Sequence, residues 1–422
     1  MKSFLTPLLC ALLAAPAFAQ EKPDTDKRIA DLERRLDAMS QELEAQKTGT
    51  AMPVAGEAGQ YGLGPAASKP YGSKGGLSIG GYGEMLYENF DSKLQNGTYS
   101  PRANTVDFVR QILYVGYKFD ERIVFNTEIE FEHAKTATGS AGEVAVEFAY
   151  LDFLLAPSFN VRAGMVLLPL GFINELHEPP TFLGAKRPGV ESTLIPTTWR
   201  ENGVGVHGEL PGHFTYRAYL VNGLDSSRFG ATGIRSGRQN GSKALAESLA
   251  LTGRLDWSPI PGTTLGLGAY TGNSNQADAG EAIRTTLVEG HGEYRARGLQ
   301  LRGLFVRMTN SETGLTALAA SSAVKQLGTE QWGGYLEAGY DVLGSTGSKQ
   351  ALIPFLRWER MNTQQQVAAG VAADRANDQT LLIAGISYKP IPQVALKLDV
   401  TRAENRAGTG RDQVSLAMGY YF

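Results

Sequence analysis

The residues of this chain that could do chemistry are few, and the densest group of them lies between Met165 and Glu201. Glu175, His177 and Glu178 come first, and Lys186-Arg187 follow, directly ahead of Pro188-Gly189. Two adjacent cations in a narrow, partly desolvated passage attract anions far more strongly than they would in open water. The plainer use of such a pair is to bind carboxylates of the surrounding structure or to sit at a subunit contact. His177 beside two carboxylates offers metal-ligand types, but the spacing is not that of a diagnostic metal motif, so no metal or cofactor is expected. Covalent catalysis needs a nucleophile, a base and an orienting group brought together. His133, His177, His207, His213 and His291 are scattered, and none has a serine-hydrolase context. Gly81-Tyr82-Gly83 and Gly266-Leu267-Gly268 sit in alternating segments, not ahead of a helix, so neither cradles phosphate. No catalytic residues are expected. A net charge of −3 gives no broad basic surface for nucleic acid. A second basic stretch, Arg228, Arg235, Arg238 and Lys243 among Gly and Ser, fits either an outer loop meeting lipopolysaccharide phosphates or a pore lining.

Those residues must be positioned by the elements around them, and the chain ends define the medium. Lys2, an apolar run from Phe4 to Leu13 and Ala17-Phe18-Ala19 form a secretory signal over residues 1–19. Cys10, the one cysteine, lies inside it, so no disulfide framework is expected in the mature chain. At the other end Val414, Leu416, Met418, Tyr420 and Phe422 alternate with Ser415, Ala417, Gly419 and Tyr421. Such a strand suits a sandwich core or bilayer hydrocarbon, which a tilted strand of about nine to eleven residues crosses. From residue 20 to 47 the period changes: Ile29, Leu32, Leu36, Met39 and Leu43 recur at spacings of three and four, a heptad seam. Arg28 with Glu33 and Glu42 with Lys47 place opposite charges across a parallel self-association. Residues 48–76 are rich in Gly, Ala, Pro and Ser and read as a linker.

From residue 77 to 422 the alternation continues. In Ile123–Glu132 the apolar Ile123, Phe125, Ile129 and Phe131 face one way and Asn126, Glu128, Glu130 and Glu132 the other, as between lipid and water. Joins alternate in length. Short ones fall at Ala156-Pro157-Ser158, Pro211-Gly212-His213, Ser258–Gly262, Ala296-Arg297-Gly298 and Lys389–Pro392; long ones fall near Asn89–Asn104, Met165–Glu201, Leu224–Leu245, Ser311–Glu330 and Asn362–Asp378. The expected fold is an all-β transmembrane barrel of about sixteen antiparallel strands with both ends in the periplasm, preceded by a short helical coiled coil. Lumen parity assigns Arg110, Arg162, Arg217, Arg254, Arg295, Arg302, Arg357 and Lys397 to the inner face, with Arg200 at the end of the long join. It also assigns Glu84, Glu128, Glu130, Asp152, Glu209, Asp256, Glu289, Glu293, Glu337, Glu359 and Asp399 there, so a uniformly positive funnel does not follow.

Over 77–422 the sequence resembles the phosphate-selective porin O and P family. The likeness is carried by Asn160-Val161-Arg162-Ala163-Gly164, Leu168-Pro169-Leu170-Gly171-Phe172, Pro188–Thr198 and Trp199-Arg200-Glu201-Asn202-Gly203-Val204-Gly205-Val206. Gly81-Tyr82-Gly83-Glu84 and Ala149-Tyr150-Leu151-Asp152-Phe153 add to it. The heptad segment looks like that of relatives associated with dicarboxylate uptake. The resemblance implies a homotrimeric channel in the outer membrane of a Gram-negative bacterium. Its cargo would be small hydrophilic solutes, anions such as phosphate or dicarboxylates first. It also implies that the terminal aromatics, Phe422 with Tyr420, are read by the barrel-assembly machinery. The residues expected at an anion-binding constriction are Lys186, Arg187, Arg162, Arg200, Arg110, Arg217 and Arg254. Two other readings stay open: a non-selective or structural barrel tethering the membrane to the cell wall through its coiled coil, and, more remotely, a barrel hydrolase.

Overall fold

The computed structural model describes Leu32, Arg34 and Leu36, and residues 59–422 apart from 277–280 and 322–325. Leu32 and Leu36 are helical and exposed; Ile29, Met39, Leu43 and the signal segment lie outside the described residues. β1 (Gly76–Phe90), β2 (Thr105–Lys118), β3 (Ile123–Glu132) and β4 (Val144–Ala156) are followed by β5 (Phe159–Leu167), β6 (Arg200–Leu210), β7 (Phe214–Asn222) and β8 (Leu249–Trp257). The second half holds β9 (Thr263–Asn273), β10 (Arg284–Ala296), β11 (Leu299–Asn310) and β12 (Gly328–Tyr340). It ends with β13 (Ala351–Val367), β14 (Asp378–Ile391), β15 (Val394–Asn405) and β16 (Gln413–Tyr421). Each strand pairs antiparallel with the next, and β1 pairs with β16 to close a sixteen-stranded barrel.

β8 shows why these residues form a wall. Leu251 is 59% exposed, whereas Arg254 and Asp256, on the opposite face, are 8% and 7% exposed. This inverts the order of a water-soluble sheet. Burying one leucine is worth about 1.5–3 kcal/mol, so a belt of exposed leucines forfeits that gain unless the outside is apolar. The belt continues through Leu255, Leu265, Leu267, Leu336, Leu382 and Leu398. Aromatic residues mark the rim that carries the short joins: Tyr117 meets Phe119 edge-on, and Phe214 stacks on Trp257 with centroids 5.8 Å apart. Such girdles occupy the boundary between hydrocarbon and water.

Two segments of the chain enter the interior. The stretch 48–76 was expected as a linker, but from residue 59 its chain enters the barrel: Leu63, Ala66, Ala67 and Tyr71 are buried against Tyr82, Tyr114 and Tyr150 of the wall. Its small residues read as a tether because they carry no period. In the structure they let the backbone lie close to the sheet. A side chain at Gly116 on β2 would collide with Pro70. From the β5–β6 join a second segment, residues 168–199, also enters the lumen and buries Leu168, Leu170, Ile173, Phe182, Ile195 and Trp199.

Candidate functional site

The infolded segment owes its course to charges on the wall. Its backbone leaves the β-ladder at Leu168, so its N–H and C=O groups need other partners. Val190 N donates to Glu359 Oε2 at 3.0 Å, Ala185 N to Asp399 Oδ2 at 2.6 Å and Gly171 N to Glu289 Oε1 at 3.2 Å. In the other direction Lys397 Nζ donates to Pro179 O and Gly184 O at 2.7 and 2.9 Å, and Arg254 donates to Gly171 O. Within the segment, Glu191 Oε2 accepts Phe172 N and Ile173 N, both at 2.7 Å, while Oε1 accepts the Tyr335 hydroxyl at 2.6 Å. Asn174 ties the two ends together, donating to Leu168 O and accepting from Trp199 N. The mixed sign of the luminal charges therefore has a structural reason: carboxylates hold loop amides and cations hold loop carbonyls.

The expected anion-binding residues are distributed unevenly over this arrangement. Lys186 is the accessible one, its side chain 47% exposed and its Nζ 2.8 Å from Glu88 Oε1. Arg187 is half-buried; its Nη2 lies 3.4 Å from both the Tyr82 hydroxyl and His177 O, and its Nε has no partner. Arg110 bridges Glu84 and Glu130 at 3.4 and 3.2 Å with a little exposure left. Arg162, Arg200, Arg217 and Arg254 are buried under the two luminal segments. Arg162 pairs with Asp152 at 2.7 Å and donates to the hydroxyls of Tyr71 and Tyr219. Arg200 pairs with Glu147 at 2.8 Å, and Arg217 with Glu175 and Asp256 at 3.3 and 2.9 Å. Arg254 meets Asp256 at 2.8 Å. At the rim, Phe422 exchanges backbone hydrogen bonds with Gly81, and the Tyr420 hydroxyl donates to Gln111.

The second basic stretch, read as either an outer loop or a pore lining, meets the infolded segment. Arg235 Nη1 donates to Ser192 O at 3.2 Å and to Thr197 O, and Arg238 Nη1 donates to Pro196 O at 3.3 Å, so both guanidiniums rest on the infolded segment. Burial, with Arg235 beside it, pulls Arg238 down to about 9. The carboxylates flanking His177 diverge from it. Glu175 goes to Arg217, and Glu178 Oε1 accepts Ala66 N and Ala67 N at 2.9 and 3.1 Å, binding the N-terminal segment to the loop. Burial pushes Glu178 up to about 7. His207 and His291 are absorbed by wall carboxylates, Asp152 and the Asp256–Glu289 pair respectively.

Among the luminal residues that escaped the parity argument, Glu147 has a structural cause. Glu147 is buried beside Arg200 and Thr198 although Phe148 also faces inward. A β-bulge between Glu128 and Ile129 of β3 lets β4 skip one residue, placing two neighbours on the same side. The signal was present: outward apolar positions in β4 run Val144, Val146 and then Leu151, Phe153, a change from even to odd.

No family model matches the chain. Among solved structures, the anion-selective porin of Comamonas acidovorans superposes with a TM-score of 0.53 at 13% identity, covering 82% of this chain and 99% of that one. OmpF of Salmonella typhi gives 0.54 at 14%, covering 83% and 98%. The outer membrane channel DcaP of Acinetobacter baumannii gives 0.52 at 12%, covering 82% and 97%. At these identities the likeness is one of fold: the barrel is that of the outer-membrane porins. In sequence, an uncharacterized protein of Aquifex aeolicus is 38% identical over 371 residues, 86% of this chain and 83% of that protein. With that identity over that length, the chain belongs to the same family as the Aquifex aeolicus protein.

Proposed function

We propose that the protein is an outer-membrane porin through which small hydrophilic solutes diffuse, anions such as phosphate or dicarboxylates preferentially, within the phosphate-selective porin O and P family. The observation that carries this reading is the inside-out wall: leucines outside, ion pairs inside, and a loop held across the lumen by those ion pairs with Lys186 and Arg187 on it. The wall arginines are matched by carboxylates and Lys186 by Glu88, whereas Arg187 meets a hydroxyl and a carbonyl, so the net attraction for an anion falls chiefly to Arg187 on the loop. At physiological salt the Debye length is only ~8 Å, so charges at the neck outweigh those on a distant wall. The named porin from Comamonas acidovorans is anion-selective, and a likeness in fold supports the channel class. The protein sits in the outer membrane of a Gram-negative bacterium as a homotrimer, with the helix of residues 20–47 in the periplasm. Lipid and lipopolysaccharide surround it, and Phe422 serves delivery by the barrel-assembly machinery.

Reversal potential across a planar bilayer in a salt gradient tests this directly. The parent is expected to favour anions, and changing Lys186 and Arg187 together to Gln to shift the potential toward cations while conductance persists. Unchanged selectivity in the double variant removes the loop as filter. The two segments inside the lumen favour a second reading, a closed barrel acting as a membrane anchor for the coiled coil; a parent that never conducts, with or without its N-terminal segment, would support it.

A further inference from the structure

His177 Nε2 lies 3.1 and 3.3 Å from the two oxygens of Glu128 on β3 and 3.9 Å from Glu147 Oε2 on β4. The three side chains are 2%, 0% and 1% exposed. Their ligand atoms all lie within 4.8 Å of one another. The other ring nitrogen, Nδ1, faces the carbonyl oxygen of Asn174 at 3.1 Å. A carbonyl only accepts, so the proton of a neutral ring belongs on Nδ1 and Nε2 presents a lone pair. That lone pair then faces carboxylate oxygens, an arrangement of acceptors that needs a cation between them. A proton on Nε2 or Glu128 would satisfy that one contact. It would leave Glu147 Oε2 to the neighbouring Glu130 carboxyl, which can pair with it only by holding a second proton, while Glu147 Oε1 is already taken by Arg200 and Thr198. A dication bound to all three satisfies every one of these atoms.

We propose that Glu128, Glu147 and His177 bind a divalent transition metal, Zn2+ by preference, which fastens the infolded loop to the β3–β4 wall. Two ligands at about 2.1 Å from a tetrahedral centre stand about 3.4 Å apart, and the separations of His177 Nε2 from Glu128 Oε1 and Glu147 Oε2, 3.1 and 3.9 Å, bracket that spacing. The donor set of one imidazole and two carboxylates suits Zn2+ and leaves a fourth position for water or an anion. The Nδ1 contact to Asn174 O is the outer hydrogen bond that commonly fixes the ring of a metal-bound histidine. The β4 bulge acquires a purpose, since it brings Glu147 and Phe148 to the inner face together. Arg200 on Glu147 and Arg187 on the His177 carbonyl offset part of the local negative charge without occupying the ligand atoms.

The full mature chain would be unfolded, refolded into detergent in chelator-treated buffer with Zn2+, freed of loose metal by gel filtration and assayed for metal per chain. Heat-modifiable gel mobility reports folding. About one Zn2+ per chain is expected for the parent, with at least a tenfold loss of affinity in His177→Gln and Glu147→Gln. The control Glu209→Gln should retain the metal. A double change of Asp107 and His133, a more exposed carboxylate–imidazole pair, should retain it too; loss there instead places the metal on the surface and overturns the proposal. A folded parent that excludes Zn2+ also overturns it, leaving a proton shared between Glu128 and His177. Should His177→Gln not fold, Glu128→Asp, which keeps the charge but withdraws the ligand, carries the same expectation.

Discussion

Glu191 concentrates three hydrogen bonds on one buried carboxyl, two to backbone amides that have no ladder to return to. Leaving a buried N–H unpaired costs about 1–3 kcal/mol, so Glu191→Ala, which orphans two, should destabilise the loop's seat by about 2–6 kcal/mol. The lost contact to the Tyr335 hydroxyl adds to this. Glu191→Gln keeps an acceptor and should cost less; thermal transitions of the two variants in detergent provide the comparison, and equal losses would contradict the hydrogen-bond account. Burial also pushes the Glu191 carboxyl above the ordinary carboxylate range. The native protein therefore holds that proton more tightly than the unfolded chain. Its contribution is complete below the ordinary range and declines as pH rises through the raised native value. Stability of the parent should fall over that window, and Glu191→Gln should flatten the fall in a pH series of melting curves.

The two segments inside the barrel are elements whose removal has a direct electrical readout. The N-terminal segment is held by Glu178 on the Ala66 and Ala67 amides, by Asn126 donating to Ala67 O at 2.7 Å, and by the Tyr71 hydroxyl donating to Asp152 at 2.7 Å. Gly116→Leu should evict it, because Pro70 occupies the space any side chain there would need. Deleting residues 60–72 should do the same from the other partner. Both changes are expected to raise single-channel conductance, with the barrel itself intact by heat-modifiable mobility. Conductance equal to the parent in both would mean that the segment does not obstruct the path. Arg235 and Arg238, resting on the same loop through Ser192, Pro196 and Thr197, should also affect selectivity when changed to Gln, because neutral carbonyl partners leave their charge uncompensated.

For the molecule as a whole, closure depends on β1 meeting β16, and Phe422 extends that seam through paired hydrogen bonds with Gly81 at 2.9 and 3.0 Å. Those bonds are made by the backbone, so Phe422→Ser should leave the finished barrel nearly as stable; burial of one such side chain is worth about 1.5–3 kcal/mol at most, and here the ring is half exposed. Its expected effect is on assembly: a low outer-membrane yield in cells, but normal refolding in detergent. Normal yield in cells would argue against a delivery role. Trimers are expected to survive deletion of residues 24–47, with lower resistance to heat. The contact would come from the outward Val204, Leu210 and Leu220 of adjacent strands β6 and β7, which remain after the deletion. Recovery of monomers alone would make the heptad segment the organiser.

The sequence by itself determined the barrel. Period-two alternation along β3 and β8 requires two unlike media, and the alternation of short and long joins ties both ends to one rim, because each follows from local geometry. It also identified many of the charges that face the lumen, from parity alone. Only the tertiary structure decided what those charges do. That Asp399 holds the amide of Ala185, or Glu178 those of Ala66 and Ala67, depends on contacts between residues far apart in the chain, which no local period encodes. The same holds for the segment after residue 59, whose glycines and alanines look like a free tether until a wall is placed beside them. Glu147 lies between the two cases. The shift from Val146 to Leu151 on the outer face signals that β4 slips, but only the pairing of β4 with β3 shows that the slip turns this carboxylate toward His177.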